Sequence, residues 1–228
     1  MKILITSGGT DVPIDDVRKI SNMSSGKYGA EIAEILHYEE GHDVTYIGKD
    51  KGVFPAKNLD FFGHGQPYLG LIRYTDFFSY KDIVQTFTRG ADFDMVISAA
   101  AVSDYILDKT EGKISSNNDE LVIRLKRAPK ILPIIRNYQK NAFLVGFKLL
   151  VSPTEEEMQN AIKKVFSNGA DLVVYNDLTE IRKGDSTRYV FKPDMGFTIA
   201  KNAKELVEII LDYKNESGNT KNSNGMQA

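Results

Sequence analysis

The chain has 228 residues, 42% hydrophobic and 26% charged, which fits an ordinary soluble protein able to bury a core without staples. A formal net charge of -2 supplies no bulk field toward nucleic acid or an anionic membrane. With no cysteine, disulfides, a thiolate nucleophile and cysteine metal sites are excluded, in keeping with a reducing cytoplasm.

The opening Met1-Lys2-Ile3-Leu4-Ile5-Thr6 has too short an apolar run for export or membrane spanning. Residues 2–6 therefore read as a buried parallel strand. Residues 26–40 have helical spacing, with Ile32, Ala33, Ile35 and Leu36 on one face and Gly41 as a C-cap. Strands follow over 43–47 and 69–74, separated by a connection over 48–67. Asp76 caps a helix through about residue 88, and 94–99 is a strongly apolar strand. Further on, 121–125 alternates like a half-exposed strand, 129–138 is a short helix and 142–147 a buried strand. Thr154 and Glu157 form a capping pair for a helix over 154–167, and 171–175 is another buried strand. Residues 189–191 and 197–199 read as a β-hairpin, and Asn202 caps a last helix to about Tyr213. The stretch 214–228 lacks an apolar pattern and reads as a disordered tail. The fold class expected is α/β: a Rossmann-like, doubly wound, mostly parallel sheet with helices on both faces. A hairpin and a flap are added in the second half, within one domain over 1–213.

In such a sheet, ligands bind beyond the carboxyl ends of the strands. The first strand runs into Thr6-Ser7-Gly8-Gly9-Thr10, and the helix begins after Ser24-Ser25-Gly26-Lys27-Tyr28-Gly29. Strand, small-residue loop and helix together make a phosphate cradle. The run lacks the compact G-x-G-x-x-G, and Gly26-Lys27 is followed by Tyr28, so it is not a Walker loop either. The bland alternative is a capped helix with glycine for close packing. Arg18 can grip a carboxylate or phosphate bidentately, or simply pair with Asp15 or Asp16. Asn22 can donate and accept at once, or be a turn residue. Ser103-Asp104-Tyr105 follows the fourth strand and can meet a ribose or base, or cap a helix. Lys113 sits in a polar loop that can close over phosphate, or be a solvated turn. Lys126, Arg127 and Lys130 form a small basic cluster. His37, His42 and His64 have no metal spacing.

Together the ordered motifs resemble phosphopantothenate–cysteine ligase, the synthetase of coenzyme A biosynthesis. They are Ile5-Thr6-Ser7-Gly8-Gly9-Thr10 with Val17-Arg18 and Ile20-Ser21-Asn22-Met23-Ser24-Ser25-Gly26-Lys27; Ala99-Ala100-Ala101-Val102-Ser103-Asp104-Tyr105; Lys113-Ile114-Ser115-Ser116; Pro129-Lys130-Ile131-Leu132; and Val145-Gly146-Phe147-Lys148 with Val174-Tyr175-Asn176-Asp177. The resemblance spans roughly residues 1–211. It implies ligation of 4′-phosphopantothenate to L-cysteine through an acyl-nucleotide, with a nucleoside triphosphate, Mg²⁺ of unknown ligands and no flavin. It places Asn22, Arg18 and Lys113 in catalysis, and Asn22, Arg18 and Ala101 at the phosphopantothenate. It places Gly8, Gly9, Ser24, Gly26, Gly29, Ser98, Ala100, Asp104, Pro129, Phe147 and Asn176 at the nucleotide. Lys113 would lie on a flap, and Phe147 would stack near the base. Many bacterial members have Lys-Ile-Lys-Lys at the flap and Ala-Ala-Glu after Gly-Phe. Here Ser115-Ser116 and Lys148-Leu149-Leu150 stand there, nearer the eukaryotic branch, which favours ATP. The start at the synthetase motif resembles the stand-alone bacterial type, so CTP is the expected nucleotide. The resemblance also implies a cytoplasmic homodimer, with Phe61, Phe62, Phe77 and Phe78 as core or interface. Two other readings stay on the page. One is a Rossmann oxidoreductase, which wants an acidic end to the second strand where Gly48-Lys49 stands. The other is a non-catalytic nucleotide-binding module.

Overall fold

The computed structural model describes residues 1–56 and 67–224, with residues 218–224 by backbone alone. The chain opens with β1 (Lys2–Ser7), a hairpin of β2 (Asp11–Pro13) and β3 (Lys19–Ser21), and α1 (Lys27–Glu34). That helix widens into a π-helical turn over Ile35–Glu39. Then come β4 (Asp43–Lys49), β5 (Leu69–Tyr74), α2 (Phe77–Gly90) and β6 (Met95–Ser98). A small ladder joins β7 (Tyr105–Ile106) to β8 (Lys126–Arg127). The second half holds α3 (Ile131–Tyr138), β9 (Phe143–Leu150), α4 (Glu155–Ser167), β10 (Leu172–Asp177), α5 (Leu178–Arg182), β11 (Arg188–Phe191), β12 (Phe197–Ala200) and α6 (Ala203–Asn224).

Eight strands form one sheet in the order β12-β11-β10-β9-β6-β1-β4-β5. Six are parallel, and β11 and β12 close one edge antiparallel. Counted in chain order, the parallel strands run 3-2-1-4-5-6, so the winding reverses between β1 and β6. This is the doubly wound fold expected from the sequence. Its alternation is visible in β1: Ile3 and Ile5 pack with α1 and α6 on one face, and Leu4 packs with α2 and α3 on the other. A third cluster seats α4 over Val173 and Tyr175.

Local signals set the helix ends. Asp76 with Ser79, and Thr154 with Glu157, form reciprocal capping boxes. Asn202 accepts from the Glu205 amide at 2.9 Å. Two expectations differ from the structure. Residues 121–125 are irregular, because an alternating run without a neighbouring strand gains no ladder. Only Ile123 of that run packs inward, and pairing shifts to Lys126–Arg127. The last helix passes Tyr213 and reaches Asn224, a stretch with no proline and a single glycine to interrupt it. Of the four phenylalanines named above, Phe77 is buried core and Phe78 is exposed, while Phe61 and Phe62 lie outside the described residues.

Candidate active site

The winding reverses between β1 and β6, the point where doubly wound sheets bind ligands beyond their strand ends. Pairing between the two strands continues past their ends. Gly9 bridges Ala101, the Ala101 amide donates to the Gly8 carbonyl (2.9 Å), and the Thr10 amide donates to the Ala101 carbonyl (3.1 Å). Asn22 lies across this extension. Its amide donates to the Thr10 carbonyl (3.2 Å) and its Nδ2 to the Ala101 carbonyl (2.7 Å). A Cβ on Gly9 would overlap the Asn22 carbonyl, closer than the 3.0 Å that such atoms keep. The Gly9 amide donates to the Ser24 carbonyl (3.0 Å), and the Ser24 amide to the Asn22 carbonyl (2.9 Å). Gly8, Gly9, Asn22, Ser24 and Ala101 thus form one backbone cradle, with half-buried Ala100 beside it.

Gly26 turns the chain into α1 with φ 83°, a left-handed conformation that glycine adopts without strain. Behind it, the amides of the first turn of α1 lack intrahelical acceptors and suit an anion. At Gly29 the close-packing reading is the one the contacts bear on. A Cβ there would overlap the Ser7 Oγ and Cβ, so Gly29 lets α1 press onto β1. Ser98 is buried at the end of β6, pairing with Thr6 of β1, whose hydroxyl accepts from Tyr80 Oη (3.0 Å).

Beside Gly8, a charge hub surrounds the buried Asp11. Its carboxylate accepts from Lys49 Nζ (2.5 Å), Ser21 Oγ (2.5 Å) and Lys19. Burial raises the Asp11 pKa, but hydrogen bonds from Lys19, Lys49 and Ser21 outweigh that and hold it low. Two ammonium groups on one carboxylate leave one net positive charge there. The sequence placed Lys49 at this strand end but gave no sign that Asp11 would gather it.

The loop carrying Lys113 is fastened to the β2–β3 turn through Asp15 and Asp16. Arg18 donates through Nε (3.0 Å) and Nη2 (2.6 Å) to Asp15, and through Nη2 to the Ile114 carbonyl (3.0 Å). The Ile114 amide donates to Asp15 (3.1 Å) and the Gly112 amide to Asp16 (2.8 Å). Of the two readings of Arg18, the ion pair with Asp15 is the one seen. Lys113 itself is exposed, and no described residue bonds its side chain. The Arg18 hydrogen bonds hold the Asp15 carboxyl well below the usual range. The clip is therefore complete above pH about 4 and is lost only as pH falls through the depressed value. Asp15→Asn is expected to speed amide exchange at Thr110, Gly112 and Ile114 by about tenfold or more at neutral pH, the loss of a charge-assisted bond. Unchanged exchange at those three amides would show that the clip does not hold the loop.

The expected nucleoside contacts are spread wider. Asp104 pairs with Lys130 at 2.5 Å in a solvated setting, with Pro129 exposed next to it. Asn176 lies near the carboxyl end of β10, and Phe147, mid-strand in β9, packs in the cluster under α1 and α6. Near them is Arg188, which no motif singled out. Arg188 begins β11, is 7% exposed, and lays its guanidinium 4.7 Å from the centre of the Tyr28 ring. Its strand alternation gave the signal: Arg188 shares a face with buried Val190, an inward position normally apolar.

Residues 1–211 match the family described as the DNA/pantothenate metabolism flavoprotein C-terminal domain. The chain belongs to this family. Relatives of the DNA/pantothenate metabolism flavoprotein C-terminal domain agree with the resemblance noted above. The Coenzyme A biosynthesis bifunctional protein CoaBC of Methanocaldococcus jannaschii is 33% identical over 215 residues, covering 92% of this chain and 49% of that protein. The phosphopantothenate–cysteine ligase of Homo sapiens is 27% identical over 200 residues, covering 66% of this chain and 64% of that protein. The chain spans about half the length of the bifunctional relatives it matches. The crystal structure of the DNA/pantothenate metabolism flavoprotein from Streptococcus pneumoniae superposes with a TM-score of 0.80 at 28% identity, covering 95% of this chain and 99% of that one. Among the described residues, no helix is long and apolar enough to cross a membrane.

Proposed function

We propose that the chain ligates 4′-phosphopantothenate to L-cysteine, with CTP as the activating nucleotide. The observation that supports this most is the cradle of Gly8, Gly9, Asn22, Ser24 and Ala101, at the reversal point of a fold shared with proteins named phosphopantothenate–cysteine ligase. In the first step a pantothenate carboxylate oxygen attacks the α-phosphorus, the bond to the β-phosphate breaks, and pyrophosphate leaves. In the second, the cysteine amine attacks the acyl carbon, loses a proton, and the nucleotide monophosphate departs.

This chemistry asks for positioning and neutralised charge more than for a protein nucleophile. The α1 amides and the Lys49–Asp11–Lys19 hub favour anionic groups, and in this reading Asn22, now bonded to the Ala101 carbonyl, holds the acyl group beside them. Lys113 closes from the loop that Arg18 and Asp15 tether. Among the described residues no three His, Cys, Asp or Glu side chains converge. The donors of the site fit Mg²⁺ carried on triphosphate oxygens, where the ion keeps water and takes few protein ligands. A cytoplasmic homodimer belongs to the same reading.

The test is pyrophosphate release with phosphopantothenate, cysteine and Mg²⁺, comparing CTP and ATP at matched concentration. Release in step with ligated product, faster with CTP, is the expected result. Faster turnover with ATP would overturn the nucleotide assignment. No release with either nucleotide would overturn the ligase.

A further inference from the structure

Three polar groups on the α1 side of the sheet are sealed from solvent without a hydrogen-bond partner: Tyr28 Oη, Asn176 Oδ1 and Arg188 Nε. Buried polar groups in a folded protein are nearly always satisfied, and a buried cation without a carboxylate is costlier still. Arg188 is more than nine-tenths buried, has no ion-pair partner among the described residues, and makes one hydrogen bond, from Nη1 to the Thr187 carbonyl (2.8 Å). Such a group points to a missing acceptor.

The register shows where the acceptor would sit. Tyr175 pairs with Tyr189 and Val174 with Val190 across β10 and β11, so Asn176 and Arg188 are next in line. Alternation puts both on the face of Val174 and Val190, under α1 and α6. Phe147 pairs with Val174 on the neighbouring strand and packs in the same cluster as Tyr28. The ring of Phe147 in β9, the unpaired amide oxygen of Asn176 near the carboxyl end of β10 and the unpaired guanidinium of Arg188 at the start of the antiparallel β11 therefore lie on one face of three adjacent strands. Glu180 Oε2 is also unpartnered, but its charge acts on Tyr175 and Tyr189, on the opposite face.

We propose that Arg188, with Asn176, reads the base of the nucleotide and favours cytosine over adenine. This rests on the ligase reading and names a residue that sets its nucleotide choice. The chemistry is one of matched edges. Cytosine presents an amine donor, a ring-nitrogen acceptor and a carbonyl acceptor in a row. An amide oxygen suits the first, and a guanidinium fork suits the other two. Adenine offers the amine and the ring nitrogen but a C–H at the third place, so one guanidinium donor would stay unpaired in a dry site.

The experiment measures CTP and ATP affinity by calorimetry without phosphopantothenate, alongside ligase turnover, for the wild type, Arg188→Met and Arg188→Lys. The expected result is tighter binding of CTP than ATP by the wild type. Arg188→Met should then weaken CTP by about ten- to hundredfold and ATP by much less, the cost of a lost charged hydrogen bond. Arg188→Lys keeps the charge on the same face but cannot fork, and should recover folding without recovering the CTP preference. A CTP-to-ATP ratio that stays at the wild-type value in both folded variants overturns the proposal and leaves Arg188 as a stacking partner of Tyr28, with the ligase intact. If Arg188→Met does not fold, the Arg188→Lys ratio decides alone. A wild type that binds neither nucleotide and forms no product overturns the ligase and this assignment together.

Discussion

Gly9→Ala is expected to abolish ligation and to destabilise the chain by about 3 kcal/mol, at the upper end for overpacking. The methyl group would overlap the carbonyl oxygen and carbon of Asn22, which are backbone atoms that no rotamer change can move aside. Relief requires the 22–24 turn to lift from the β1–β6 extension. That motion would break the Gly9–Ser24 bond (3.0 Å), the Asn22–Thr10 bond (3.2 Å) and the Asn22–Ala101 side-chain bond (2.7 Å). For a chain of this size, the midpoint of thermal unfolding should fall by roughly 6–12 °C. Gly90→Ala is the control: a Cβ there meets nothing within 4 Å and φ is not left-handed, so that variant should melt within a degree or two of the wild type. Equal melting of the two variants would show that the turn is not pinned as described.

Asn22→Ala should separate the two half-reactions. The side chain is half-buried, so stability should fall by only about 1 kcal/mol, the worth of one hydrogen bond to Ala101. The first-turn amides of α1, which lack intrahelical acceptors, and the cradle backbone remain. Acyl-nucleotide should therefore form and accumulate, while ligated product falls by about a hundredfold, the scale of losing one oriented polar group at a reacting centre. Quenched reactions resolved by chromatography, with pyrophosphate and product counted separately, make the comparison. A parallel fall in both would put Asn22 in the first step, and no change in either would remove it from the site.

The two predictions draw on different levels of the molecule. Gly9 and Asn22 are thirteen residues apart in a loop whose ends the sequence marks, yet their contact depends on Ala101, supplied by the loop after a strand far along the chain. The parallel strands, their order of helices, the Asp76 cap and the Thr154–Glu157 capping pair were legible because each depends on local spacing and local hydrogen bonds. The 121–125 run misled because alternation marks what a strand needs, not whether a neighbour is there to pair with it. For Gly29 and Arg18 the residues left two readings open, a ligand contact or a structural role, because small and cationic residues in a loop suit either. The structure shows Gly29 pressed against Ser7 and Arg18 paired with Asp15, a choice of partner that only folding decides.

By itself, then, the sequence determined the doubly wound class, the small and polar residues at its strand ends and the ordered motifs of the family. These follow from hydrophobic period and from residue types that are special in any context. Only the tertiary structure decided which polar groups meet. It gathered Lys19 and Lys49 on Asp11, hung the Lys113 loop from Asp15 and Asp16, and buried Arg188 beside Tyr28 with its Nε unpaired. The physical reason is that a buried charge or amide is defined by its partners. Those partners come from strands and loops that the chain brings together only after folding.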